Sequence, residues 1–113
     1  MSRDDPPGGV SGELRALIGL DRVIHEPARL VITAILAAVD RADFLYLLRE
    51  TGLTKGNLST HLAKLEDAGY VEITKGFEGK RPFTLCRLTP AGVEAFTEYR
   101  RSVSRAVGHM GAD

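Results

Sequence analysis

The sequence holds a single cysteine, Cys86, in 113 residues. That excludes an internal disulfide framework and fits a reducing compartment. There is no Cys-x-Cys or Cys-x-x-Cys, and His25, His61, His109 and Cys86 stand at no spacing used by metal fingers or metal sensors. No metal is therefore expected. A Gly-rich phosphate loop and a nucleophile elbow are also missing, and Glu66 and Asp67 are adjacent rather than stacked on one helix face, which makes them a poor acid–base pair. The chain reads as a non-enzyme without a cofactor. Its longest apolar run, Leu30 to Val39, is ten residues, too short for a bilayer span of about 20. The opening "MSRDDPPGGV" has no apolar segment of the signal-peptide kind, so a cytoplasmic protein with no membrane partner is the default expectation.

An excess of either charge is missing as well: 15 Lys and Arg balance 15 Asp and Glu. The distribution is less even. Residues 1–53 carry six basic and eight acidic side chains, whereas residues 54–89 carry six basic and four acidic ones. From Lys55 to Lys64 there is no acid at all. A local positive field in an otherwise neutral chain is compatible with a polyanionic partner but does not establish one.

Patterning divides the chain into a lead-in at 1–9, one domain at 10–108 and a tail at 109–113. "PPGG" and the polar residues around it offer little to bury, so 1–9 are expected to be disordered. Ser11 is suited to cap a short helix carrying Leu14, Leu17 and Ile18. Pro27 stands where a first helical position belongs, and the helix after it runs to about Val39. Val31, Ala34, Ile35 and Ala38 form its expected core face, widened by Leu30, Ile32 and Leu36. A helix this apolar is surrounded by other elements or lies at a subunit contact. Asp43 caps the next helix, Phe44 to about Glu50, and Gly52 fits a left-handed position just past its end. Thr54 is the expected N-cap of the following helix, with Leu53 and Leu58 at hydrophobic-staple spacing. Two helices joined by so short a glycine-containing turn make a helix-turn-helix.

Past Gly69 the period changes to strand. "YVEITKG" places Val71 and Ile73 on one side, "FEGKR" supplies a glycine turn and "PFTLCRL" returns, with Cys86 half-buried in phase with Thr84 and Leu88. Thr89 and Pro90 read as N-cap and first residue of a last helix that carries Phe96, Tyr99, Val103 and Val107 and stops at Gly108.

The helix from Thr54 puts Leu58, Leu62 and Leu65 on one stripe and Gly56, Ser59, Thr60 and Ala63 opposite, flanked by Asn57 and Lys64. Small and hydrogen-bonding residues at a helix start also occur in ordinary surface helices. A duplex major groove gives a more specific reason. It admits an α-helix only if outward residues are small, and the first turns approach the base edges. The basic hairpin tip of Lys80 and Arg81, with Lys75 nearby, then reads as a wing over the adjacent backbone or minor groove. The expected fold is mainly α with a small β-hairpin wing, a winged helix-turn-helix.

"HEPARL…AILAA…ADFLYLLRETGLTKGNLSTHLAKLEDAGYVEITKGFEGKRPFTLCRLTPAGVEAFTEY" resembles small winged-helix transcriptional regulators of bacteria and archaea, the short MarR-like proteins above all. The resemblance runs from about Leu20 to Tyr99. It implies sequence-specific binding of double-stranded DNA, usually as a homodimer and most often in repression. DNA contacts would fall on Thr54, Lys55, Gly56, Asn57, Ser59, Thr60 and Lys64 of the helix and on Lys75, Lys80 and Arg81 of the wing. Leu14, Leu17, Ile18, Phe96, Tyr99, Val103 and Val107 would supply a dimer interface. Longer MarR proteins have extended carboxyl-terminal helices that this sequence lacks, and with them much of a ligand-pocket wall, so a small-molecule effector is left open. The competing class is a winged helix that serves as a protein–protein adaptor without DNA binding, which the neutral net charge suits.

Overall fold

The structure, a computed structural model, describes residues 11–111. The lead-in expected at 1–9 lies outside these. Ser11 accepts from the Leu14 N–H and starts α1, Gly12–Arg15, which continues into a 3-10 turn at Ala16–Gly19. Helix α2 spans Pro27–Ala38, strand β1 is Ala42–Asp43, α3 is Phe44–Thr51 and α4 is Lys55–Asp67. The hairpin pairs β2, Val71–Glu78, with β3, Arg81–Leu88, and α5 covers Pro90–Gly108. The fold is mostly helical with one small antiparallel sheet of order β1-β3-β2.

Local chemistry accounts for most helix ends. Asp43 Oδ1 accepts from Tyr46 N–H at 2.7 Å, Thr54 Oγ1 from Asn57 N–H at 3.1 Å and Thr89 Oγ1 from Gly92 N–H at 3.0 Å. Each hydroxyl or carboxylate thereby satisfies a first-turn donor that the helix itself cannot. Gly52 closes α3 at φ 70°, a left-handed conformation that glycine adopts without strain.

Two apolar clusters hold the domain. In the first, α2, α3 and α4 bring Ile32, Leu36, Leu47, Leu58, Leu62 and Leu65 against Ala42, Val71 and Cys86 of the sheet. In the second, Leu20, Ile24, Phe96 and Tyr99 are buried together, with Leu17 and Val103 packed at the edge. This second cluster folds the amino-terminal segment onto α5 of the same chain.

The core face of α2 is Ile32, Thr33 and Leu36, while Val31, Ala34 and Ala38 are exposed and Ile35 is half-buried. Periodicity could not orient a helix that is apolar on every side; the positions of α3, α4 and the sheet do. Thr33 is tolerated inside because its hydroxyl donates to the Arg29 carbonyl at 2.7 Å. The wing turn is tighter than "FEGKR": only Gly79 and Lys80 lie outside the ladder, since Glu78 pairs with Arg81, and Gly79 takes the positive φ of 64° that such a turn requires. Cys86 is fully buried rather than half-buried. Burial pushes its thiol up to about 11, away from reactive thiolate.

Tyr70, just past α4, ties that end of the helix to the amino-terminal segment. Its hydroxyl donates to Asp21 Oδ2, while Asp21 Oδ1 accepts the Val23 and Ile24 N–H groups. The bond to the Asp21 carboxylate, aided by burial, raises the phenol from 10 to about 12. A folded-state pKa above the unfolded one contributes stability below pH 10 that is lost as pH rises toward 12. Chemical denaturation at stepwise alkaline pH should therefore show stability falling above pH 10, and Tyr70→Phe should flatten part of that decline.

Candidate nucleic-acid interface

Helix α4 buries Leu58, Leu62 and Leu65, leaves His61 half-buried on one flank and exposes its remaining residues. Thr54, Lys55, Gly56, Asn57, Ser59, Thr60 and Lys64 are all exposed. They are not chemically equivalent. The Thr54 hydroxyl caps the helix, so its role is to shape the site. The Thr60 hydroxyl donates to the Gly56 carbonyl at 2.9 Å, which leaves a lone pair and a methyl group facing outward. Among the described residues, the Asn57 carboxamide and the Ser59 hydroxyl have no partner. An added Cβ at Gly56 would meet no atom within 4 Å. Packing inside the chain therefore does not require glycine there.

The hairpin stands beside this helix. Directly opposed residues in the ladder share a face, and the face alternates along each strand. Val71 and Cys86 point into the core, so Ile73, Lys75 and Phe77, with Thr84 and Pro82 opposite Lys75 and Phe77, lie on that same side of the sheet. Lys75 and Thr84 accordingly line a cleft of about 670 Å³ with Ser59, Ala63 and Glu66 of α4. Lys80 occupies the turn. Arg81 is exposed on the other side of the hairpin, across from Glu78. Of the expected contacts, the structure thus brings only Ser59 and Lys75 together around one cleft; the other helix residues lie outside it on α4, and Lys80 and Arg81 stand farther out at the tip.

Lys55, Lys64, Lys75, Lys80 and Arg81 share a second property: among the described residues, none has an ion-pair partner. Arg87 at the base of the wing, in contrast, pairs with Glu72 at 3.2 Å. Unpaired cations at the helix and the wing leave the positive field open to an external anion.

Sequence reasoning missed the brace on the other flank of α4. Arg29 of α2 donates from Nε to the Val23 carbonyl at 2.6 Å, and its terminal nitrogen lies 3.1 Å from His61 Nδ1. Guanidinium only donates, so His61 Nδ1 is the acceptor there and the ring proton sits on Nε2. Glu26 caps α2 through the Arg29 N–H at 2.8 Å, the main reason its carboxyl is held below the usual range, and lies 3.8 Å from the same His61 nitrogen. His61 thus belongs to a link between α2 and α4. His25 and His109 have separate partners, Tyr99 and Glu13. An Arg three residues past a capping Glu is a local signal; its meeting with His61 is not.

The residues expected to make a dimer interface separate into two groups. Phe96 and Tyr99 are only 9% and 7% exposed and belong to the second cluster of their own chain. Leu14, Leu17 and Val103 are half-buried. Ile18, at 77% exposed, and Val107, at 56%, remain on the surface.

A three-helix core, a capped helix with a small polar face and a basic hairpin at its side define the winged helix-turn-helix class. Residues 28–107 match the winged helix DNA-binding domain family, and the chain belongs to it. An uncharacterized protein of Methanocaldococcus jannaschii is 36% identical over 78 residues, covering 69% of this chain and 85% of that one. A transcriptional regulator homologue from Pyrococcus horikoshii OT3 superposes with a TM-score of 0.81 at 27% identity, over 89% of this chain and 99% of that one. NadR, solved in complex with 4-hydroxyphenylacetate, shares the fold at a TM-score of 0.66 and 22% identity; the match covers 84% of this chain and 65% of NadR. The chain is a small winged-helix DNA-binding protein of the transcriptional-regulator group, not an enzyme.

Proposed function

We propose that this protein is a cytoplasmic, sequence-specific regulator of transcription of the MarR-like kind that binds double-stranded DNA as a homodimer and acts as a repressor. The observation that carries the reading is the exposed, small and hydrogen-bonding face of α4, free of acid from Lys55 to Lys64, with Lys55 and Lys64 on the helix, Lys75 in the cleft beside it and Lys80 and Arg81 at the wing tip all unpaired among the described residues. Asn57, Ser59 and Thr60 are the base-reading candidates, and Gly56 permits close approach of the helix to the groove wall. Lys55, Lys64, Lys75, Lys80 and Arg81 act as phosphate contacts that set register. A winged helix used only for protein contacts would not need this combination.

Fluorescence anisotropy with labelled duplex across a salt series tests the reading. Lys80→Ala with Arg81→Ala should weaken binding on specific and unrelated duplexes alike and lower the slope of log affinity against log salt by about 1 for each lost phosphate contact. An unchanged slope would remove the wing from the interface. Failure of the wild-type protein to bind any duplex at low salt would favour the adaptor reading.

Two half-sites are expected because one small module buries only about 600–1,000 Å² on DNA, and two-fold symmetry supplies the second. With Phe96 and Tyr99 turned inward, the dimer contact rests on the residues still exposed, Ile18 and Val107, together with Val93 and Met110 on or just beyond α5. Light scattering at micromolar protein should give twice the 12.3 kDa chain mass. Ile18→Glu with Val107→Glu should return the mass to that of one chain without lowering the melting temperature. A wild-type monomer would refute the dimer.

A further inference from the structure

Phe77 is the largest apolar side chain that the wing leaves in water, at 72% exposed. Its ladder partner is Pro82, also exposed, so the two form an apolar edge on one side of the hairpin. That side is the one shared with Lys75 and Thr84, which line the cleft beside α4. Phe77 therefore continues the row Ile73, Lys75 outward, past the last position covered by the helix. On the opposite side Phe83 packs over Gly76, where an added Cβ would lie 2.7 Å from its ring. Phe83 is thus half-buried, whereas Phe77 is exposed with exposed Pro82 as its ladder partner. Unpaired Lys75 precedes Phe77 on its strand and Lys80 follows it in the turn. A single exposed phenylalanine is common on protein surfaces. One placed between two cations, in line with a recognition helix, fits a specific partner.

We propose that Phe77, backed by Pro82, is an apolar contact of the wing with duplex DNA, entering the minor groove next to the major groove occupied by α4 and wedging at a base step. The inference rests on the DNA-binding reading above and adds to it a mode of sequence selection. Apolar side chains inserted from the minor groove partly unstack a step and kink the duplex, and the lysines on either side neutralise the phosphates brought closer by the kink. Pyrimidine–purine steps yield most easily, so the wing would favour TA or CA at that position without hydrogen-bonding to it.

The chain contains no tryptophan, so Phe77→Trp makes a single-reporter protein. The probe is a duplex recovered by the wild-type protein from a random pool, with complex formation followed separately by anisotropy of a label on the DNA. Expected are quenching of Trp emission on binding and a several-fold fall in its accessibility to acrylamide. Phe77→Ala should bind about tenfold more weakly, with loss of the TA or CA preference. Its melting temperature should be that of wild type, because the ring is exposed, and its salt slope should not change, because no charge is lost. Phe77→Leu should retain most of the affinity. Wild-type affinity and step preference in Phe77→Ala, or a tryptophan that stays accessible in the complex, would overturn the wedge while leaving helix and lysine contacts intact. Protection of the tryptophan without DNA would overturn it in favour of self-association. A wild-type protein that recovers no duplex would remove both this inference and the reading beneath it.

Discussion

Gly92→Ala is expected to cost about 3 kcal/mol or more, the upper range for forcing an extra carbon into a packed site. An added Cβ there would lie 2.2 Å from the Tyr70 carbonyl oxygen, with the Tyr70 carbonyl carbon and Cα at 3.0 and 3.1 Å. All three are backbone atoms, so no side chain can swing aside. The same carbonyl accepts the Thr89 N–H at 3.0 Å, and the Thr89 hydroxyl donates to the Gly69 carbonyl at 2.5 Å while accepting from Gly92. To relieve the clash, the start of α5 must move away from the exit of α4, which pulls on this whole junction. A fall in melting temperature of roughly 12 °C or more follows for a domain of this size. Gly56→Ala is the matched comparison. With open space around it, it should leave the fold unharmed or stabilise it by up to about 1 kcal/mol, yet weaken DNA binding if close approach to the groove wall is the reason for that glycine. Calorimetry of the two variants settles the first point and anisotropy the second. A Gly92→Ala protein that melts like wild type would show that α5 is not seated as described.

Asn57→Ala combined with Thr60→Ala should weaken binding to the best duplex site by roughly a hundredfold, about 3 kcal/mol, and relax base preference in the contacted half-site. The melting temperature should hardly move. The Asn57 carboxamide has no partner among the described residues, so its removal orphans nothing inside the protein. The Thr60 bond to the Gly56 carbonyl is a backbonding arrangement that slightly disfavours helices, and alanine is a better helix former. A loss of affinity at constant stability would therefore belong to the interface alone. If the double variant binds its site as tightly as wild type, α4 does not read the bases through this face.

The caps at Ser11, Asp43, Thr54 and Thr89 and the left-handed Gly52 could be read from sequence because each concerns groups within a few residues of one another. The stripe Leu58, Leu62, Leu65 was legible for a similar reason: helical repeat fixes which side chains share a face, and only one face of α4 is apolar. Strand β1 was not. It has two residues and exists only because Leu85 and Cys86 of β3 lie beside it, so nothing local marks it. The direction of α2 was hidden by its uniform apolarity. Phe96 and Tyr99 have the spacing of a surface stripe, and sequence alone could not tell a partner chain from the chain's own Leu20 and Ile24.

What the sequence by itself determined is the order of the elements, most of their ends, and the small, acid-free outer face of α4. Those follow from capping geometry, helical repeat and side-chain size, all short-range. Only the tertiary structure decided which side of the hairpin looks toward α4, that Arg29 and His61 meet, and that the amino-terminal segment closes on α5. These depend on which surfaces remain when the core has packed, and that is a property of residues distant in the chain coming together at close-packed density.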